Sequence, residues 1–224
     1  MRRSLLLAFV LLCLLLTTAC WVHSLDPAYD TGDLVAEPGF VGTWVHRVSG
    51  SAAADPISTL QKDNTADEYE LWTLKAEDTA NAWLGPSYDV TFTSQKCQAA
   101  RCIQTEKPLE WVGHLARIGN YTFLDLQPKD ENPDEIHWVP SHTFYRCGLT
   151  DGTLAVRFLD DEWLDRAVDQ NKVKLAHFHL GSALAGHILL TDDTATIRQF
   201  LVDFGNDPDA FPEQNQMVFM RNKP

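Results

Sequence analysis

Two histidines separated by one residue are the side chains of this sequence that most directly suggest metal chemistry. His177 and His179 lie in the segment LAHFHLG. Alternate residues of a β-strand project from the same side, so both imidazoles share a face if this segment is a strand. Two such rings can begin a Zn²⁺ site when a third ligand joins them. The pair therefore indicates a metal-dependent hydrolase as one alternative for the function.

The spacing of the sequence does not select the third ligand of such a site. His142, His187, His137 or an aspartate could supply it. Histidine pairs also occur on protein surfaces and in hydrogen-bonded positions without any metal, and this ordinary role is the favoured interpretation. We therefore expect a protein without a metal or other cofactor.

Other catalytic patterns receive little support from the sequence. Ser141 and His142 are adjacent, but the G-x-S-x-G turn that presents a nucleophilic serine is missing. Asp160, Asp161 and Glu162 precede a helical segment, where they complement the helix dipole rather than form an acid–base pair. The sequence also has no glycine-rich nucleotide-binding loop. An enzyme is therefore not the favoured class of protein.

The cysteines indicate a local crosslink. Cys97 and Cys102, in CQAARC, close a short loop between two apolar segments. In an oxidising compartment this spacing allows a disulfide. Cys147 would then remain as a buried thiol, and a pairing that involves Cys147 is the alternative.

The first 19 residues have the organisation of a signal peptide. Arg2 and Arg3 form a basic start, and residues 5–16 are twelve consecutive apolar residues before the small residues of TTA. A helix that spans a bilayer needs about 20 residues, so a permanent transmembrane anchor is disfavoured. We predict that residues 1–19 are removed on export.

The segment LTTAC resembles the lipobox of bacterial lipoproteins. The resemblance implies cleavage after Ala19 and acylation of Cys20, with an ordinary secretory signal as the alternative. Acyl chains on Cys20 would hold the protein on a membrane, in the outer membrane or at the cell surface. Residues 20–38, which contain Pro27, Gly32 and Pro38, are predicted to form a polar tether.

The charge of the chain excludes one class of partner. The formal net charge is −13, and removal of Arg2 and Arg3 with the signal peptide makes it −15. Nucleic-acid binding needs a basic stripe, so we expect no nucleic-acid partner. The oligomeric state is not indicated by the sequence.

Aromatic and β-branched residues predict a series of short strands. These are residues 42–48, 69–75, 88–93, 109–118, 121–126, 143–147, 153–159, 185–190 and 217–221. Several are apolar on both faces, which is typical of strands covered by a barrel interior on one side and by helices or loops on the other.

Two segments repeat at helical spacing instead. Residues 161–170 follow Asp160 as a possible N-cap, and residues 192–204 follow Thr191 and precede Gly205. Asp151-Gly152 favours a tight hairpin turn. Many strands with two late helices predict an antiparallel sheet and a mainly β (α+β) fold.

The first predicted strand, in EPGFVGTWV, contains the G-x-W pattern of Gly42, Thr43 and Trp44. It resembles the opening strand of lipocalins and related calycin barrels. The resemblance implies an antiparallel β-barrel over residues 39–224, with Trp44 across its closed end. It also implies that a basic residue of the last strand, here Arg221 in QMVFMRN, stacks on that tryptophan. Segments such as LGPSYDVTF and NYTFLDLQP are similar to a group of bacterial secreted proteins of unknown function.

The favoured function is therefore a non-enzymatic envelope lipoprotein that binds a small hydrophobic ligand or an envelope protein. A structural or assembly lipoprotein is a further alternative. Large aromatic residues could either line a pocket in the barrel or fill it, and filling is slightly favoured. The candidates are Trp72, Trp111, Trp138, Tyr121 and Phe123.

Overall fold

The structure, a computed structural model, is mainly β and describes residues 22–49, 67–77, 85–98, 101–129, 141–180 and 187–222. Within these ranges the chain forms twelve strands and two α-helices. The strands are β1 (Val22–Ser24), β2 (Gly42–Ser49), β3 (Asp67–Ala76), β4 (Tyr88–Gln98), β5 (Arg101–Gln104), β6 (Leu109–Ile118), β7 (Tyr121–Pro128), β8 (Thr143–Thr150), β9 (Thr153–Arg157), β10 (His177–Leu180), β11 (His187–Leu190) and β12 (Gln216–Arg221). The helices are α1 (Asp161–Asp169) and α2 (Thr194–Phe204), and single 3₁₀ turns lie at Thr31–Asp33, Pro38–Phe40 and Glu213–Asn215.

Eight of these strands close into an antiparallel barrel. Its order is β2, β3, β4, β6, β7, β8, β9 and β12, so each strand pairs with the next barrel strand along the chain. Pairing of β12 with β2 closes the ring. The predicted antiparallel barrel with two helices in the C-terminal half is therefore confirmed.

Alternate residues of the strands fill one part of the barrel interior. Trp44 of β2, Leu74 of β3, Leu115 of β6 and Phe219 of β12 are fully buried there. The period-two alternation of a strand places such residues on one face. Truncation of a buried residue of this size typically costs about 2–5 kcal/mol of stability, so this packed region is the core of the barrel.

A second apolar cluster lies outside the barrel. Ala116 and Ile118 of β6 point away from the interior and pack among Trp163 of α1 and Phe200 of α2. This arrangement explains why β6 is apolar on both faces, because one face contacts the barrel core and the other contacts the helices.

The capping residues explain the helix boundaries. Asp160 caps α1, since its Oδ1 accepts the backbone N–H of Trp163 at 2.7 Å. For α2 the cap is Asp193, which accepts the N–H of Thr196 at 2.9 Å, and the helix begins two residues later than predicted. The carboxylate of Asp193 displaces Thr191 from this role.

The segment that precedes β2 is part of the folded domain. β1 pairs in parallel with β11, and Ala28 and Tyr29 are buried in the outer cluster. The prediction of a tether is therefore wrong for residues 22–38, which belong to the folded domain instead of preceding it. The polar composition of residues 22–38 suggested a tether, but a polar side chain of this segment also holds it on the domain. Arg198 donates to both carboxylate oxygens of Asp33, at 2.5 and 2.6 Å. The predicted signal peptide 1–19 and Cys20 lie outside the described residues.

Two hairpins show how turns set the register. Asp151 and Gly152 have positive φ angles of 41° and 81°, which gives the tight turn predicted between β8 and β9. At the far end of β4, β5 pairs back on residues 95–98. The sequence did not indicate β5, because its four residues are exposed and carry no alternating apolar pattern.

Candidate functional site

A cavity of about 820 Å³ opens into the barrel at the end opposite Trp44. The strand register defines this end. Gly42 of β2 pairs with Leu74 of β3 at the closed end, and His46 pairs with Glu70 toward the open end. The barrel interior is therefore filled at one end and hollow at the other.

Aromatic side chains form the inner wall of the cavity. Trp72 of β3 and Phe92 of β4 face each other across the pair, with ring centroids 4.6 Å apart. Tyr145 of β8 contacts Phe158 edge to face at 5.0 Å. Met217 of β12 completes the apolar lining. Trp72, Phe92, Tyr145 and Met217 lie on the inward face of their strands, so the strand period directs them to one space, and Phe158 follows β9.

The rim of the cavity is acidic. Five carboxylate residues and one lysine line it: Glu70, Glu106, Asp160, Asp161, Glu162 and Lys107. Asp160 is already used, because its second oxygen accepts Asn215 Nδ2 at 3.1 Å while the first caps α1. Asp161 and Glu162 lie in the first turn of α1, whose dipole offsets part of their charge. Glu70 and Glu106 therefore contribute negative charge that no helix dipole offsets.

Glu70 is a partly buried acidic residue of the rim, on the same face of β3 as Trp72. Burial raises the pKa of its carboxyl above the ordinary value of 4.5, and the nearby Glu106 carboxylate raises it further, whereas His46 lowers it. A carboxylate that is costly to ionise gains most from a cationic partner.

The cavity has the properties of a binding site for a small amphiphilic molecule. Its volume falls in the range of about 300–1,000 Å³ that is typical of small-molecule sites. Aromatic rings attract cations as well as apolar groups.

The buried thiol of Cys147 is not an activated nucleophile, because burial raises its pKa to about 12.

The two histidines of the predicted metal site lie together on the outer surface. His177 and His179 belong to β10, as expected from a strand, and their ring centroids are 5.1 Å apart. Asp165 of α1 joins them, with Oδ1 at 3.2 Å from His179 Nε2. One ligand atom from each of the three side chains lies within 4.8 Å of the others. The third member is thus an aspartate, and His142 is not a member of this cluster.

His142 takes part in a different, buried arrangement. Its Nδ1 lies 2.6 Å from Asp125 Oδ1, and Asp125 Oδ2 accepts the backbone N–H of Ala28 at 3.0 Å. His114 is close by, and burial lowers its pKa. Because Asp125 joins β7 to both β8 and the N-terminal segment, this pair holds the fold together and Ser141 has no part in it.

The predicted pair at the closed end is present. The guanidinium of Arg221 lies over the ring of Trp44, 4.4 Å from its centroid, and donates to the carbonyls of Val41 and Gly39. Trp44 Nε1 donates to the carbonyl of Phe40 at 2.8 Å. The indole N–H of Trp44 and both terminal nitrogens of the Arg221 guanidinium therefore have hydrogen-bond partners at the closed end.

The predicted disulfide is also present. Cys97 and Cys102 are bonded across the β4–β5 hairpin, and Cys147 is a free, buried thiol. This confirms the local pairing over the alternative that involves Cys147.

The aromatic candidates divide between the two clusters. Trp72 lines the cavity, and Trp111 packs against the barrel core. Tyr121 and Phe123 belong to the outer cluster instead, because these alternate residues of β7 lie on the face that points away from the barrel interior. Trp138 lies outside the described residues.

Sequence reasoning missed the acidic rim. Glu70 shares strand parity with Trp72, which was a usable signal for its inward position. Glu106 and Phe158 lie between strands, where periodicity gives no direction. Asp125 was missed because its partner His142, just before β8, comes close to it only in the folded barrel.

Comparison of the chain with protein-family models, with curated proteins and with solved structures gave no match. Among the described residues, no helix combines the length and the apolar character that crossing a membrane requires.

Proposed function

We propose that this protein binds a small amphiphilic ligand in the mouth of its barrel, with the apolar part of the ligand inside and a cationic group at the rim. One observation supports the proposal above all. The cavity of about 820 Å³ combines an aromatic wall with a rim of five acidic residues and one lysine.

The aromatic wall accounts for the apolar part of the ligand. Trp72, Phe92 and Tyr145 present ring faces and edges to the space, and Met217 adds an adaptable apolar side chain. Burial of apolar surface contributes roughly 25 cal/mol per Å², so a chain of several methylenes gains affinity by entering.

The rim accounts for the sign of the charge. A cation near Glu70 and Glu106 relieves the repulsion between two carboxylates and offsets the burial of Glu70. An anion would face the same carboxylates at a cost. The ligand class is therefore a lipophilic amine or quaternary ammonium compound rather than a fatty acid.

Calorimetric titration with two probes of equal chain length tests this assignment. Octyltrimethylammonium and octyl sulfate, both below their micellar concentrations, differ in the sign of the head group. We expect the cation to bind at least about tenfold more tightly, and Glu70→Gln to narrow that ratio. Equal or tighter binding of octyl sulfate would overturn the charge assignment.

A matched pair of variants locates the binding. Met217→Trp fills the cavity, whereas Met220→Trp adds the same bulk on the exposed face of the same strand, where Met220 is 59% accessible. Loss of octyltrimethylammonium binding in the first variant alone supports the cavity as the site. Equal affinity in both variants would exclude it.

We further propose that the protein acts as a lipoprotein of the cell envelope, anchored through Cys20. The lipobox-like LTTAC supports this, and the Cys97–Cys102 disulfide is typical of exported proteins. Labelling of cells with a palmitate analogue should mark the wild-type chain and not Cys20→Ser. A labelled Cys20→Ser variant, or an unlabelled wild-type chain, would refute the anchor.

A further inference from the structure

We propose that Asp165, His177 and His179 form a Zn²⁺-binding site on the outer surface of the barrel domain, separate from the ligand cavity. The three side chains come from two consecutive elements of the chain, α1 and β10. One ligand atom of each lies within 4.8 Å of the other two.

The distances between the ligand atoms are compatible with coordination of one ion. Two ligands at about 2.0–2.1 Å from a tetrahedral zinc ion lie about 3.4 Å apart. Asp165 Oδ1 and His179 Nε2 are 3.2 Å apart. The site therefore needs only a small closure around the third ligand, His177.

A hydrogen bond sets the tautomer of His177. Its Nδ1 lies 3.0 Å from the carbonyl oxygen of Leu175. A carbonyl only accepts, so Nδ1 carries the hydrogen and Nε2 keeps its lone pair. A backbone carbonyl that orients the ring in this way is the usual outer partner of a metal-binding histidine.

The chain between the two elements holds the ligands in place. Val173 and Leu175 are buried in the outer cluster. Lys172 contacts Asp207 at 3.2 Å and lies over the ring of Trp163. Because this connection is packed on the domain, β10 and α1 keep their relative position without the metal, which reduces the cost of binding.

The charges and the exposure also favour a divalent cation. Without a metal, the contact between Asp165 and His179 is an ion pair only when the imidazole is protonated. A zinc ion bound between the two side chains would take up the lone pair of His179 Nε2 and neutralise the carboxylate of Asp165. The side chains of His179 and Asp165 are 55% and 46% accessible, so an ion can enter from solvent, and three protein ligands leave a position for water.

Calorimetric titration with ZnCl₂ tests the site on the whole chain, purified without a histidine tag. We expect one zinc ion per chain. Affinity should fall at least about tenfold in His179→Ala and in Asp165→Asn. Asp169→Asn removes the same charge one turn further along α1 and should bind zinc as the wild type does.

Two further measurements keep the result decisive. Nitrogen-15 spectra of the histidine rings should show zinc on Nε2 of His177, and circular dichroism should show that each variant is folded. Absence of one-to-one binding would overturn the proposal. So would an affinity that His179→Ala and Asp165→Asn leave unchanged, because the zinc would then be bound elsewhere.

Discussion

At the residue scale, the closed end of the barrel explains why β2 carries glycine and tryptophan two residues apart. Gly42 has a φ of +140°, and a Cβ on it would lie 2.8 Å from Nη1 of Arg221. Trp44 receives the same guanidinium over its ring. The glycine therefore leaves space for the arginine that the tryptophan binds.

This geometry predicts that Gly42→Ala destabilises the protein. The new methyl group must displace Arg221 and adopt a strained backbone conformation, at a cost on the order of 1–3 kcal/mol in the free energy of unfolding. Urea denaturation measures the change. Gly148→Ala is the control, because a Cβ at that strand position meets nothing within 4 Å. Equal losses in the two variants would contradict this account.

Glu70 predicts a pH dependence at the same scale. Its pKa is raised in the folded protein, mainly by burial, so the folded state holds the proton more tightly than the unfolded state. Stability is therefore lost as the pH rises from the ordinary value of 4.5 through the raised value.

The expected result is that Glu70→Gln removes this loss. Thermal melts between about pH 4 and pH 7, a range that begins near the ordinary carboxyl pKa, should show a smaller decline in Tm for Glu70→Gln than for the wild type. Glu110→Gln, which changes an exposed carboxylate of β6, should follow the wild type. If Glu70→Gln showed the same dependence of Tm on pH as the wild type, ionisation of Glu70 would not destabilise the folded protein.

At the scale of elements, a buried pair, Asp125 and His142, helps to hold the N-terminal segment on the barrel. Asp125 accepts from Ala28 and pairs with His142, while Ser24 and His142 exchange two backbone hydrogen bonds, at 2.9 and 2.8 Å. β1 has only three residues, so its own pairing with β11 is short. The carboxylate of Asp125 therefore contributes much of what fixes this segment to the barrel.

We expect Asp125→Asn to loosen the segment selectively. The amide cannot accept from both partners as the carboxylate does, and an unsatisfied buried donor costs about 1–3 kcal/mol. Hydrogen exchange should rise at residues 22–30 before it rises in the barrel strands. Asp89→Asn, which breaks the exposed pair with Lys129, should cost less than about 1 kcal/mol. Uniform loss of protection over the whole barrel would contradict a local role.

The elements also show what sequence reasoning can reach. Residues 109–118 were predicted to the residue, because Leu115 faces the core and Ala116 faces the helices in a regular alternation. β1 and β5 were missed, since one has three residues and the other is wholly exposed. A strand is recognisable from its periodicity only when it is long enough and has a buried face. β1 has a buried face but is too short, and β5 is both short and exposed.

At the scale of the whole molecule, the filled regions stabilise the fold, and the hollow end of the barrel is the proposed site of binding. Side chains fill the outer cluster, which includes Ile118 and Leu201, and the closed end of the barrel, where Trp44 lies. The open end is left hollow and ringed by carboxylates. From the sequence, filling of the barrel by large aromatics was slightly favoured over lining of a pocket, but the role of each ring depends on where along the barrel it lies. Trp44 fills and Trp72 lines, although both point inward.

The most direct test of the ligand cavity is a titration of the protein, labelled with carbon-13 at its methionine methyl groups, with octyltrimethylammonium. The sequence has three methionines, of which Met217 lines the cavity and Met220 lies on the outer face of the same strand. The account predicts that the methyl signal of Met217 shifts to saturation while that of Met220 stays in place. A shift of Met220 without Met217, or no saturable shift of either, would contradict it.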